Sequence, residues 1–122
     1  MNNFKLGSKS ISKLEGVHPL LIICVQKAIE RSEIDFTVLE GLRTAERQKQ
    51  LVADGKSQTL NSLHLKGLAV DLAPLPIDWG NIEAFLLAAK AMKSAASELG
   101  IKLTYGGDWK TFKDYPHFQL EL

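Results

Sequence analysis

Two short stretches in the second half of the chain carry side chains that hold metals and move protons. One is Ser62-Leu63-His64-Leu65-Lys66-Gly67-Leu68-Ala69-Val70-Asp71, the other Asp114-Tyr115-Pro116-His117. A catalytic zinc takes three protein ligands from His, Asp, Glu or Cys and keeps a fourth position open for water. His64, Asp71 and His117 can be those three ligands. Asp114, three residues before the last of them, is then a carboxylate left over to take a proton from that water. Any one of these residues alone reads more simply as a hydrogen-bonding or solvated side chain. The metal reading therefore rests on the set, and on a fold that brings the two stretches together.

Hydrophobic periodicity supplies the elements that must do this. Leu21, Val25, Ala28 and Ile29 recur at helical spacing from Pro19 to about Arg31, with Pro19 suited to a first turn and His18 to the helix entry. Phe36-Thr37-Val38-Leu39 reads as a strand. Gly41 turns the chain, Thr44 caps a helix to about Asp54, and Gly55 ends it. Arg43 falls at this strand-to-helix junction, where a side chain can reach a cleft from a rigid base. An ion pair with Glu40 or Glu46 is the other reading of Arg43. Lys56 to Ser62 forms a polar loop leading to His64.

Gly67 to Ala73 reads as a strand stopped by Pro74 and Pro76. On it Ala69, Asp71 and Ala73 share one face, while Val70 and Leu72 turn to the core. Ile82, Phe85, Leu86, Ala89, Met92, Ala96 and Leu99 mark one face of the longest helix, closed by Gly100. Ile101 to Tyr105 and His117 to Leu120 are further strands, joined through a Gly106-Gly107-Asp108-Trp109 turn. His117 and Gln119 share a face of the last strand. The expected class is α+β, with helices packed on one face of a small, largely antiparallel sheet and the metal site on the other.

Composition narrows the function. A chain of 122 residues is one domain by length, read as spanning 1–122, and can bury ~60% to ~70% of its unfolded surface. With 15 basic and 14 acidic side chains the net charge is +1, and no like-charged block suggests nucleic acid as a partner. Cys24, the only cysteine, lies in an apolar run and reads as a buried, inert thiol. That run is far shorter than the roughly 20 apolar residues of a membrane span. The polar amino-terminal stretch does not read as a signal peptide, so the chain is expected to be made and held in the cytoplasm. No linker, repeat, low-complexity tract or second module is visible.

The Ser-x-His-x-x-Gly-x-Ala-x-Asp string followed by Asp-x-x-His resembles the zinc peptidases of the D-Ala-D-Ala dipeptidase and carboxypeptidase superfamily. Gly16-Val17-His18-Pro19, Asp35 to Val38, Glu40 to Thr44 and Arg47-Gln48 are similar to its L-alanyl-D-glutamate peptidases, the endolysins of phages and wall hydrolases of bacteria. The resemblance runs from the first helix to the end of the chain. It implies one zinc ion held by His64, Asp71 and His117, Asp114 as the base, and Arg43 as a catalytic and substrate-binding group. Ser62 and Trp109 join as substrate-binding residues, although Ser62 can equally orient the His64 loop, and Trp109 and Tyr105 can equally cover the core. Asp108 is the rival for the base.

The implied activity is endopeptidase hydrolysis of the L-Ala to D-Glu bond in peptidoglycan stem peptides. A D,D-peptidase acting at D-Ala termini and a catalytically silent zinc-binding relative are the alternatives. An endolysin of this kind is expected to act as a monomer on the cell wall, after a separate membrane-permeabilising protein has released it.

Overall fold

The computed structural model describes residues 2–57 and 59–122; of the expected loop from Lys56 to Ser62, Gln58 lies outside the described residues. Helix α1 (Ser8–Lys13) is followed by α2 (Pro19–Arg31), β1 (Phe36–Glu40) and α3 (Ala45–Ala53). A 3₁₀ turn (Leu63–Lys66) leads to β2 (Ala69–Pro74), then α4 (Ile82–Leu99) and β3 (Lys102–Tyr105). A second 3₁₀ turn (Gly106–Asp108) and a loop precede β4 (His117–Glu121).

The helix ends follow from local chemistry. His18 precedes Pro19 and its Nδ1 accepts a hydrogen bond from the Leu20 amide at 3.1 Å, so this histidine caps a helix. Thr44 Oγ1 accepts from the Arg47 amide at 3.1 Å at the start of α3. Gly55 and Gly100 take positive φ just beyond α3 and α4.

Helices α2 and α4 pack on each other and α4 lies against β2 and β3, forming the core. Leu21, Cys24, Val25, Ala28 and Ile29 are the buried side of α2. Burial pushes the Cys24 thiol up to about 11, which leaves it protonated and inert. On α4 the buried stripe is Phe85, Ala88, Ala89, Met92, Ala95 and Ala96. Ile82 and Leu86, expected on that stripe, are instead 43% and 46% exposed. At about 100° per residue Ile82 falls on the flank and Leu86 on the far side of a stripe centred on Ala88, Met92 and Ala95, whose alanines allow close helix approach.

The sheet runs β1-β2-β4-β3 with every neighbouring pair antiparallel. Its register determines the chemistry. An irregularity between Val38 and Glu40 sets Glu40 opposite Asp71, and Asp71 lies opposite His117 on the next strand. Residues directly paired across antiparallel strands share a face, so Glu40, Asp71 and His117 form one row. Phe118 and Leu120 point the other way and are buried.

Ala69 and Ala73, which share the face of Asp71, are fully buried. That face is covered as well, in part by the 3₁₀ turn that packs on β2. Helix α3 does not join the α2 and α4 layer but borders the cleft above this row through Arg47 and Leu51.

Candidate active site

His64, Asp71 and His117 each offer one ligand atom, and the three atoms lie within 4.8 Å of one another. Asp71 Oδ1 is 3.2 Å from His64 Nε2 and 3.2 Å from His117 Nδ1. The two imidazoles are buried and stand edge to face at 5.2 Å. Each ring also has its other nitrogen engaged. His64 Nδ1 is 2.8 Å from the Gly41 carbonyl, and His117 Nε2 is 2.8 Å from Gln119 Oε1.

Burial on its own would raise the Asp71 carboxyl, but hydrogen bonds and charge from His117 and His64 overcome it and hold the group well below the usual carboxylate range. The same exchange holds His117 above its ordinary value against the opposing effect of burial. Two imidazoles and one carboxylate converging within 4.8 Å of one another are a donor set that suits zinc.

Local backbone fixes His64. Ser62 Oγ accepts from the His64 amide at 3.2 Å and caps the 3₁₀ turn, while the His64 carbonyl accepts from the Arg43 amide at 2.9 Å. Ser62 therefore orients the His64 turn while also lining the cleft. Gly41, whose carbonyl holds the His64 ring, passes so close to α1 that a Cβ there would sit 2.2 Å from the Lys13 carbonyl oxygen.

Arg43 is a buried ion pair and a cleft residue at once. Nε donates to Glu40 Oε1 and Nη2 to Glu40 Oε2, both at 2.7 Å, and Nη1 donates to Gln48 Oε1 at 2.8 Å. Nη2 lies 3.7 Å from Asp71 Oδ2. A guanidinium has five N–H donors, so one on each terminal nitrogen remains for a ligand. Burial opposes the charge, but the hydrogen bond and charge of Glu40 raise the Arg43 pKa further and keep it cationic. Gln48 is 1% exposed and its amide also donates to Ser57 Oγ and the Thr59 carbonyl, tying Arg43 to the cleft wall.

Asp114 reaches the same cleft from the loop before β4. Its amide donates to the Gly106 carbonyl at 3.0 Å, and its carbonyl accepts from the His117 amide at 3.1 Å. Burial, and then the Asp71 charge, raise its carboxyl above the ordinary value against the pull of His117, His64 and Arg43. A carboxylate with raised proton affinity is a better base than a solvated one.

Gly106 makes this approach possible. A Cβ there would lie 2.4 Å from the Asp114 carbonyl oxygen and 3.1 Å from the His117 Cβ. Gly106→Ala should displace Asp114 and His117 together. The expected result is weaker metal binding and lower activity than in a Gly7→Ala control, where a Cβ meets nothing within 4 Å, measured by metal content and peptide hydrolysis at equal protein concentration.

The cleft above these residues encloses about 690 Å³ and is walled by Arg47, Leu51 and Lys56 on one side and by Trp79 and Trp109. Trp109 lies 5.3 Å from the His117 ring. Tyr105 turns out to be a core residue, 2% exposed and stacked on Phe118 at 4.7 Å. Asp108 points to Lys93, 2.8 Å from its Nζ, and does not line the cleft. Glu40, Gln48, Gln119 and Trp79 were not singled out as site residues from sequence. The shared face of His117 and Gln119 was the one available signal for Gln119.

A family model described as phage L-alanyl-D-glutamate peptidase matches residues 2–120. The L-alanyl-D-glutamate peptidase of Escherichia phage T5 is 40% identical over 119 residues, covering 93% of this chain and 87% of that protein. Peptidoglycan L-alanyl-D-glutamate endopeptidase CwlK of Bacillus subtilis (strain 168) is 30% identical over 125 residues, covering 85% of this chain and 73% of that protein. The crystal structure of Serratia marcescens L-Ala D-Glu endopeptidase ChiX is similar with a TM-score of 0.90 and 41% identity, over 98% of this chain and 92% of that one.

Proposed function

The chain belongs to the phage L-alanyl-D-glutamate peptidase family, and from that premise we propose that it is a zinc-dependent peptidoglycan endopeptidase cutting the L-Ala to D-Glu bond of stem peptides. The observation that carries the metal reading is the convergence of His64, Asp71 and His117 ligand atoms within 4.8 Å, in a cleft also lined by Arg43 and Asp114. His64 through Nε2, Asp71 and His117 through Nδ1 would hold the ion. Bound zinc supplies Lewis acidity for the scissile carbonyl and lowers the pKa of water to about 7.

The chain's own residues supply the remaining steps. Asp114, ionised, takes a proton from the attacking water and hands it to the leaving amine. Arg43 directs its two remaining N–H groups at the carbonyl oxygen or at a substrate carboxylate, with Glu40 and Gln48 fixing the guanidinium plane. Trp109 walls the cleft beside His117, and Ser62 holds the His64 turn. The same reading has the chain act as a monomer on the wall once a separate membrane-permeabilising protein has released it. Among the described residues, no helix is long and apolar enough to cross a membrane.

Mass spectrometry of products from defined muropeptides tests the reading. Release of L-alanine, free or still joined to its amino sugar, is the expected result. Release of D-alanine would place the protein in the D,D-peptidase branch, and an inert zinc-loaded protein would be a silent relative.

Arg43→Ala should cost on the order of 3 kcal/mol in kcat/KM, by analogy with loss of an oxyanion donor. Arg43→Lys should recover only part, because an ammonium cannot make the two-pronged contact with Glu40 and also reach Gln48. Equal activity of wild type and Arg43→Ala, at matched zinc content, would remove Arg43 from the machinery.

A further inference from the structure

His64 and His117 present different ring nitrogens to Asp71, and each choice has a cause. For His64 it is a backbone carbonyl. The Gly41 oxygen can only accept, so Nδ1 carries a proton and Nε2 is the nitrogen turned to Asp71 and available to a metal. For His117 the fixing group is a side chain, Gln119, whose amide can in principle face either way.

The orientation of that amide is settled by its other end. Gln119 Nε2 lies 2.9 Å from Glu121 Oε1, and an ionised carboxylate only accepts. The amide nitrogen must therefore face Glu121 and the amide oxygen must face His117. Turning the amide over would set two oxygens against each other. With Oε1 facing the ring at 2.8 Å, His117 Nε2 has to donate, while Nδ1 faces Asp71 and is the nitrogen whose proton a metal would displace.

We infer that Gln119, oriented by Glu121, is a positioning residue that holds a proton on Nε2 of His117, so that Nδ1 is the nitrogen left for the metal. The three residues lie at alternate positions on one face of β4, a strand paired on both sides, and Gln119 stands opposite Ala69, whose small side chain leaves room. The inference rests on the metal reading above for its consequence. It does not rest on it for the hydrogen bond from Nε2–H to Gln119.

Two measurements test it. The first is nitrogen-15 NMR of the imidazole rings in the metal-free protein. The wild type should show a His117 Nε2–H proton protected from solvent exchange, and Gln119→Met should lose that protection; a wild type with no protected Nε2–H overturns the proposal whether or not zinc binds.

The second is zinc affinity, from competition with a chromophoric chelator. Gln119→Met keeps the side-chain length without an acceptor and should weaken zinc about 10- to 100-fold, the usual effect of losing a ligand's supporting hydrogen bond. Gln119→Glu can still accept from Nε2–H, and should keep both the protected proton and an affinity close to wild type. Gln119→Met binding zinc within twofold of wild type overturns the proposal. If the wild type binds no zinc, the metal reading falls and the protection of the wild-type Nε2–H proton still decides the role of Gln119.

Discussion

Zinc added to metal-free His117→Ala protein should find no tight site, and peptide hydrolysis should fall to background. His64→Ala and Asp71→Ala should behave alike. Each variant leaves two ligands where a catalytic site uses three, and metal affinity falls with ligand count. The other two ligands also lose their arrangement. Asp71 keeps its low pKa through hydrogen bonds to both imidazoles, and loss of His117 removes the larger of these two contributions. Calorimetric titration with zinc and elemental analysis after dialysis check the binding, and stem-peptide hydrolysis checks the chemistry. A His117→Ala protein that retains one zinc per chain and wild-type activity would show the ligand set to be wrong.

Asp114→Asn should keep the fold and the zinc while losing at least ~10²-fold in kcat, because an amide cannot accept the proton of the attacking water. Asp108→Asn should change little, since Asp108 is an exposed partner of Lys93 outside the cleft. The reverse ranking would move the base to Asp108.

The same substitution has a stability consequence with a definite sign. Asp114 has a folded-state pKa above its ordinary value, from burial first and then from the Asp71 charge. A raised carboxyl contributes stability that is complete below the unfolded-state pKa and is lost as pH rises through the folded-state value. At neutral pH the ionised group is therefore a cost to the metal-free fold. Metal-free Asp114→Asn should melt above metal-free wild type at neutral pH, with the gap closing on acidification. A lower Tm for the variant at neutral pH would contradict the electrostatic account of the cleft.

Much of the fold was legible because it is local. Apolar spacing marked α2, Thr44 and Gly55 marked the ends of α3, and alternation placed His117 and Gln119 on one face of β4. Ile82 and Leu86 were misplaced because a periodic pattern gives a stripe without its centre. The alanines against α2 decided where that centre fell. The membership of the family, too, was already carried by the motifs, since residue identity and spacing are what relatives share.

The sequence by itself determined which side chains were available for the chemistry: two imidazoles, two carboxylates and a guanidinium, in segments able to form strands and turns. Tertiary structure decided what each one faces. Asp71 and His117 are 46 positions apart and meet through the register of β2 with β4. Glu40 opposes Asp71 because of an irregularity in β1, which leaves Arg43 only two N–H groups for a substrate. Lys93 on α4 draws Asp108 away, and Phe118 takes Tyr105 into the core. Such pairings are absent from spacing and composition because they depend on how separate elements pack. Proton affinities and hydrogen-bond directions depend in turn on those neighbours.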